Sequence, residues 1–137
     1  MIYAVIDTNV LVSALITRNV EAATVKVLEA MFQGRIIPLY NEEIIEEYEN
    51  VLRRSKFHFT LSVVNMYLRN ICKMGIPSER IHSDESFSDK DDIVFYEVAL
   101  SKEDAYLVTG NTRHLPKTPI VVTPAEMLKI LEREKLL

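Results

Sequence analysis

The chain has a single cysteine, Cys72, inside the run "VVNMYLRNICKMGI". One thiol closes no intramolecular disulfide and builds no thiolate zinc site, so a disulfide-stapled scaffold is excluded and a reducing, cytoplasmic setting is expected. Glycine is scarce, with three in 137 residues, and "TGN" at 109–111 holds only one of them, too few for a phosphate-cradling loop. The three histidines, His58, His82 and His114, are scattered without metal-ligand spacing. No apolar run approaches the roughly 18 residues of a membrane helix. Asp7 follows the start too closely for the basic leader of an export signal, so neither insertion nor export is expected. Positive charge is not in excess either: 16 Lys and Arg stand against 20 Asp and Glu, a net charge of -4 at pH 7. That balance argues against coating nucleic acid by bulk electrostatics. Carboxylates clustered around divalent cations would reverse the reading, because the bound ions attract phosphate.

What is present is an ordinary globular composition, 48% apolar and 26% charged, at the length of one domain covering 1–137. Disorder is expected only in the tail "EREKLL". "IYAVI" at 2–6 reads as a short strand buried on both faces, as in a parallel sheet covered by helices. "TNVLVSALI" and "VEAATVKVLEAMFQG" carry helical spacing, the second stopping at Gly34, and "RIIPLY" is a second strand. Asn41 is suited to cap "EEIIEEYENVLRRSK", which has acids in its first turns and bases in its last, matching the helix dipole. A helix over "TLSVVNMYLRNICKMG" follows, capped by Thr60 and ended by Gly75, then a weak strand at "RIHS". The acidic loop "DESFSDKDD" leads into a helix "DIVFYEVALSKE". "AYLVTG" and "PIVVT" are strands, and "PAEMLKILERE" is a closing helix with Pro124 in its first turn. This order implies an α/β sandwich around a mainly parallel sheet, in which ligands lie outside the carboxyl ends of the strands.

Asp7 stands at such an end. Asn111 follows "AYLVTG" directly, Asp92 opens a helix after the acidic loop, and Glu47 shares a helix side with Ile44, Tyr48 and Val51. Each has an ordinary explanation. Asp7 is suited to cap the helix beginning at Thr8, Glu47 sits among the solvated acids of "EEIIEE", Asp91 and Asp92 suit a helix N-terminus, and Asn111 suits a turn. Taken together, acids converging on one sheet edge without matching bases repel one another unless a cation neutralises them. Mg2+ or Mn2+, hard ions that take oxygen ligands and keep water, are the economical choice. "RRSKFH" at 53–58 places Arg53, Arg54 and Lys56 around Phe57, and Arg113 and Lys117 lie near the same edge. Basic residues with an aromatic among them suit phosphates and a stacked base, although Arg53 and Arg54 also complement the end of their own helix.

These blocks in order, "VIDTNVLVSAL", "EEIIEEYENVLRRSKF", "DKDDIVFYEVAL" and "AYLVTGNTRHL", resemble the PIN domain family, in the branch associated with toxins of toxin–antitoxin pairs. The resemblance runs from Ile2 to about Leu131. It implies a three-layer α/β/α sandwich with about five short, mainly parallel strands, and a Mg2+- or Mn2+-dependent endoribonuclease. By that resemblance Asp7, Glu47 and Asp92 are the catalytic, metal-holding acids, with Glu46 the neighbouring alternative to Glu47 and Asp91 an additional ligand. Asn9 and Thr109 match polar positions beside the first acid, and Arg53, Arg54 and Arg113 would contact substrate. The family's acid after "TG" is replaced here by Asn111, whose amide can hold a metal-bound water or donate to phosphate but adds no charge. Implied partners are an RNA substrate, an antitoxin protein and a second copy in a homodimer, with no membrane. A competing reading is a PIN-like module that binds RNA or protein with little nuclease activity; a DNA flap nuclease is less expected in so short a chain.

Overall fold

A computed structural model describes residues 1–87 and 89–136. Ser88 of the expected acidic loop and Leu137 of the tail lie outside the described residues. The elements run β1 (Ile2–Ile6), α1 (Thr8–Ile16), α2 (Ala23–Phe32), β2 (Ile36–Tyr40), α3 (Glu42–Leu52), α4 (Leu61–Met74), β3 (Ile76–Pro77), α5 (Lys90–Ala99), β4 (Tyr106–Val108), β5 (Val121–Val122) and α6 (Pro124–Arg133). Single turns of 3-10 helix lie at Ser55–Phe57 and Thr112–His114.

All five strands are parallel, in the order β3-β2-β1-β4-β5. β1 is therefore central, which explains its nearly unbroken apolar sequence: Ala4, Val5 and Ile6 are essentially without solvent contact. The chain leaves β1 to build β2 and β3 on one side and returns to build β4 and β5 on the other. The strand order reverses between β1 and β4, and in sheets of this kind the ligand crevice lies at that reversal, outside the carboxyl ends of the strands. Helices α1, α2 and α6 pack together, and α3, α4 and α5 pack with one another or against β1, β2 and β4, giving the three-layer α/β/α sandwich that the sequence predicted.

Local chemistry sets most boundaries. Asn41 Oδ1 accepts from the Ile44 amide at 2.8 Å and starts α3, and Thr60 Oγ1 does the same for α4 through the Val63 amide at 3.3 Å. Thr123 and Glu126 close a reciprocal capping box ahead of α6. Gly75 ends α4 where no side chain fits: a Cβ there would lie 2.5 Å from the Pro38 carbonyl oxygen. Gly34, at φ +80°, reverses the chain between α2 and β2.

Several expectations are corrected. The third strand is not "RIHS" but the two-residue edge Ile76–Pro77, and residues 80–83 run as loop. α3 stops at Leu52 rather than continuing through Lys56. α5 begins at Lys90, two residues early, because Asp89 rather than a later acid caps it, accepting from the Asp91 amide at 2.9 Å. The described part of the tail is tied down: the Leu136 amide donates to Leu131 O at 2.8 Å and its side chain packs on the core.

The loop that replaces "RIHS" is held by a cluster of charges. Glu97, 5% exposed on α5, accepts from Arg80 Nη2 at 2.7 Å and Nε at 2.9 Å, and from the Ser83 amide at 2.7 Å. The same guanidinium reaches Glu43 of α3 at 2.9 Å. Arg80 thus staples the loop that leads into α5 to two helices. Burial alone would raise the Glu97 carboxyl; the Ser83 amide and Arg80 outweigh it and hold the group below its ordinary value. Its contribution to stability is therefore present above the unfolded glutamate value of 4.5 and is lost as pH falls through the lower folded one. Replacing Arg80 with Ala should lower the unfolding free energy by about 2 kcal/mol at pH 7. In urea titrations the gap between wild type and variant should narrow under acidic conditions; an unchanged midpoint at pH 7 would remove the staple from this account.

Candidate active site

The crevice between β1 and β4 is built around Asp7. Because β1 ends at Ile6, the next side chain projects from the carboxyl edge of the sheet, and the backbone turns at once into α1. The Asp7 amide still donates to Val108 O at 2.9 Å, so the residue is locked to β4. Asp7 occupies the N-cap position of α1, yet its side chain makes no cap hydrogen bond. Instead Oδ2 accepts from the Thr109 hydroxyl at 2.8 Å and from Asn9 Nδ2 at 3.3 Å. The first-turn amides of Thr8 and Asn9 favour the carboxylate as well, but its side-chain bonds to Thr109 and Asn9 tie it to the end of β4 beyond what capping requires.

A small polar network surrounds this contact. Thr109 is fully buried, and its Oγ1 also accepts from the Asn111 amide at 3.1 Å and from Asn9 Nδ2 at 3.4 Å. Asn9 Oδ1 accepts from the Gly110 amide at 2.9 Å, and a Cβ on Gly110 would sit 3.3 Å from that oxygen. Asn9 and Thr109, two of the expected residues, thus clamp the start of α1 to the end of β4 and orient the carboxylate between them. Beneath, the buried Tyr48 hydroxyl of α3 donates to Ile6 O, fixing α3 against the end of β1. Thr8 Oγ1 is buried without a hydrogen-bond partner among the described residues.

The charges around Asp7 come from separate elements. Burial pushes its carboxyl above the ordinary value; the Thr109 bond, the amides of Thr8 and Asn9, and the Asn9 side chain act in the other direction. The Asp92 carboxyl, in the first turn of α5, is pushed up to about 6, first by burial and then by the fields of Asp7, Asp89 and Asp91, with His114 opposing. Glu47 is raised too, by burial, Asp91, Asp89 and Asp7, with Arg54 opposing. Glu47 and Glu46 are thereby distinguished: Glu46 is exposed and lines an outer groove with Tyr40 and Ile45, while Glu47 feels the crevice. The helix side shared with buried Ile44, Tyr48 and Val51 signalled this in the sequence.

Other expected residues lie around the rim. Asp91 is exposed, one residue nearer the start of α5. Asn111 is exposed where the chain leaves Thr109, and Arg113 follows in the 3-10 turn, lining a surface cleft of about 560 Å³ with Lys117, Thr112 and Glu126. Arg53 is engaged locally, 3.5 Å from Glu49 and 3.4 Å from Asn65 Oδ1. Asp89 was not singled out in the sequence. It caps α5 and its charge reaches both Asp92 and Glu47; its position three residues before Asp92, ahead of an apolar run, was the available signal.

The donor set fits a hard divalent cation in kind. Every candidate ligand offers oxygen; Asp7 is desolvated, and Glu47 and Asp92 are desolvated within the field of Asp7, a penalty that a cation relieves. Among the described residues no three His, Cys, Asp or Glu are grouped closely enough to hold an ion by themselves. Mg2+ does not require such a cage, since it keeps several waters and commonly takes one or two carboxylates.

The raised Asp92 value has a consequence for stability. Between the unfolded 3.8 and the folded value of about 6 the folded state binds the extra proton, so stability falls as pH rises through that window. Asp92→Asn should therefore raise the unfolding free energy of metal-free protein at pH 7 by on the order of 1 kcal/mol, and the gain should vanish below pH 3.8. Chemical denaturation at the two pH values checks it; a destabilising Asp92→Asn at pH 7 would contradict the crowding of charge described above.

No curated protein matches the chain significantly. The family description that does match is that of the PIN domain, over residues 3–113. The match begins in β1 and ends in the turn after Asn111, so it takes in Asp7, Asn9, Glu47, Asp89, Asp92 and Thr109, and the crevice they share at the reversal of strand order is contained within it. With that topology and that match together, the chain belongs to the PIN domain family, a nuclease-type fold whose members generally depend on divalent metal ions.

Proposed function

We propose that the protein is a metal-dependent endoribonuclease, with Asp7, Glu47 and Asp92 as its acidic site. The observation that carries the reading is the Asp7 carboxylate at the carboxyl edge of the sheet, whose charge is felt both by Glu47 of α3 and by Asp92 of α5. A Mg2+ or Mn2+ ion held there by Asp7 and Asp92, with Glu47 or Asp91 as a further ligand, supplies when bound an acidified water and neutralisation of phosphate charge. The chain's own residues do the positioning. Thr109 and Asn9 fix the rotamer of Asp7, Asn111 offers an uncharged amide to water or phosphate at the rim, and Arg113 and Arg54 supply cationic contacts to the RNA backbone.

A role as the toxin of a pair follows the same reading. An antitoxin segment covering the crevice would silence the enzyme, and a homodimer would leave two crevices to cover. One observation favours a second reading, an RNA- or protein-binding module: Asn111, exposed at the crevice rim, brings no charge where a further acid would strengthen the site.

Labelled single-stranded RNA separates the two. Purified protein should cleave it with Mn2+ or Mg2+ and not with EDTA, and Asp7→Asn should abolish cleavage. Thr109→Val, which removes only the hydroxyl that orients Asp7, should cost roughly 10- to 100-fold in rate. Binding without cleavage by folded wild-type protein under either metal would favour the module.

A further inference from the structure

The segment "RRSKFHF" at 53–59 is left with more chemistry than the fold uses. After α3 ends, a single 3-10 turn over Ser55–Phe57 is closed by the His58 amide, which donates to Ser55 O at 3.2 Å. His58 itself adopts φ 56°, a left-handed conformation uncommon outside glycine. That turn brings Phe57 and Phe59 side by side, their rings 5.5 Å apart and only 11° from parallel. Phe59 packs against the core, whereas Phe57 lies on Phe59 and remains partly open to solvent. Lys56 Nζ lies 5.1 Å from the centre of the Phe57 ring. Such a parallel pair, anchored on its inner ring, is preorganised to accept a third flat group on the outer one.

Position and charge identify the group. Arg54, exposed at the start of the segment, is close enough to Glu47 for its charge to oppose the rise of that carboxyl. The charge of Arg54 thus reaches the acidic site from the end of α3, and Phe57 follows it by three residues. Cations spaced around an exposed, backed aromatic ring suit alternating phosphates and bases, and a base in a duplex has no free face to offer.

We propose that Phe57, supported by Phe59 and flanked by Arg54 and Lys56, is a stacking platform for an unpaired base of single-stranded RNA leaving the crevice. The Lys56 ammonium gives up the ring face to the base and moves to a neighbouring phosphate. The inference rests on the ribonuclease reading for the identity of the strand, but it concerns binding and not cleavage.

It is tested in EDTA, where no strand is cut, with a single-stranded RNA oligonucleotide carrying 2-aminopurine at successive positions. Wild type should change the fluorescence at one position through stacking. Phe57→Leu should lose that signal and weaken binding roughly tenfold, the scale of one base–aromatic stack. Phe57→Trp should keep both, which decides the matter if Phe57→Leu is unstable. Arg54→Ala should weaken binding and flatten its salt dependence by about 0.7 in the logarithmic slope. Binding and signal unchanged in Phe57→Leu would overturn the platform even if the protein cuts RNA. The predicted losses in a protein that never cuts RNA would sustain the platform and sink the ribonuclease reading instead.

Discussion

Burying one carboxylate is the constraint on which the rest of the site depends. Asp7 is 8% exposed at the end of the central strand, where an unpaired charge would cost several kcal/mol. The fold meets that cost with donors rather than with a base: the Thr109 hydroxyl, the Asn9 amide and the opening turn of α1. Asn9 and the turn of α1 are local, but the Thr109 donor is there because β4 pairs with β1 in a register that sets Ile6 beside Val108 and so delivers Thr109 next to Asp7. Sheet order, strand register and carboxylate orientation are thus one requirement expressed at three scales.

The acids gathered around Asp7 work against the fold. Asp92 and Glu47 are both held above their ordinary titration range, by burial first and by neighbouring carboxylates next. An arrangement that concentrates like charge is retained when something outside the chain relieves it, and a site that lowers stability in the free protein is the usual signature of function. The compensation lies elsewhere. Arg80, clasped between Glu97 and Glu43, ties the loop before α5 to both α3 and α5, the helices that carry Glu47 and Asp92.

Much of this was legible in the sequence because it is governed by local rules. β1 and α1 have the predicted bounds, since a buried parallel strand and an amphipathic helix each leave a plain period. Asn41 and Thr60 cap the helices they were assigned, and the apolar side shared with Ile44, Tyr48 and Val51 favoured Glu47, with Glu46 kept as its neighbouring alternative. What failed was nonlocal or too short to leave a pattern. Ile76–Pro77 pairs with β2 as a two-residue exposed edge, and nothing in its sequence distinguishes it from loop. "RIHS" read as a strand because the partners of Arg80, one 17 and one 37 residues away, cannot be seen from its neighbours. Asp89 was missed as a cap because three acids compete for that role within four residues. The Tyr48 bond to Ile6 O, which fixes α3 beneath the site, likewise joins residues 42 apart.

The central claim is that the crevice around Asp7 is a cation site assembled from carboxylates of different elements. Its most direct test is equilibrium binding of Mn2+ to metal-free protein, followed by calorimetry or by the electron paramagnetic resonance of the free ion, in wild type and Asp7→Asn side by side. The account predicts saturable binding by the wild type that is lost in the variant, with both proteins folded. Absence of saturable binding in wild type, or binding that survives Asp7→Asn unchanged, would contradict it.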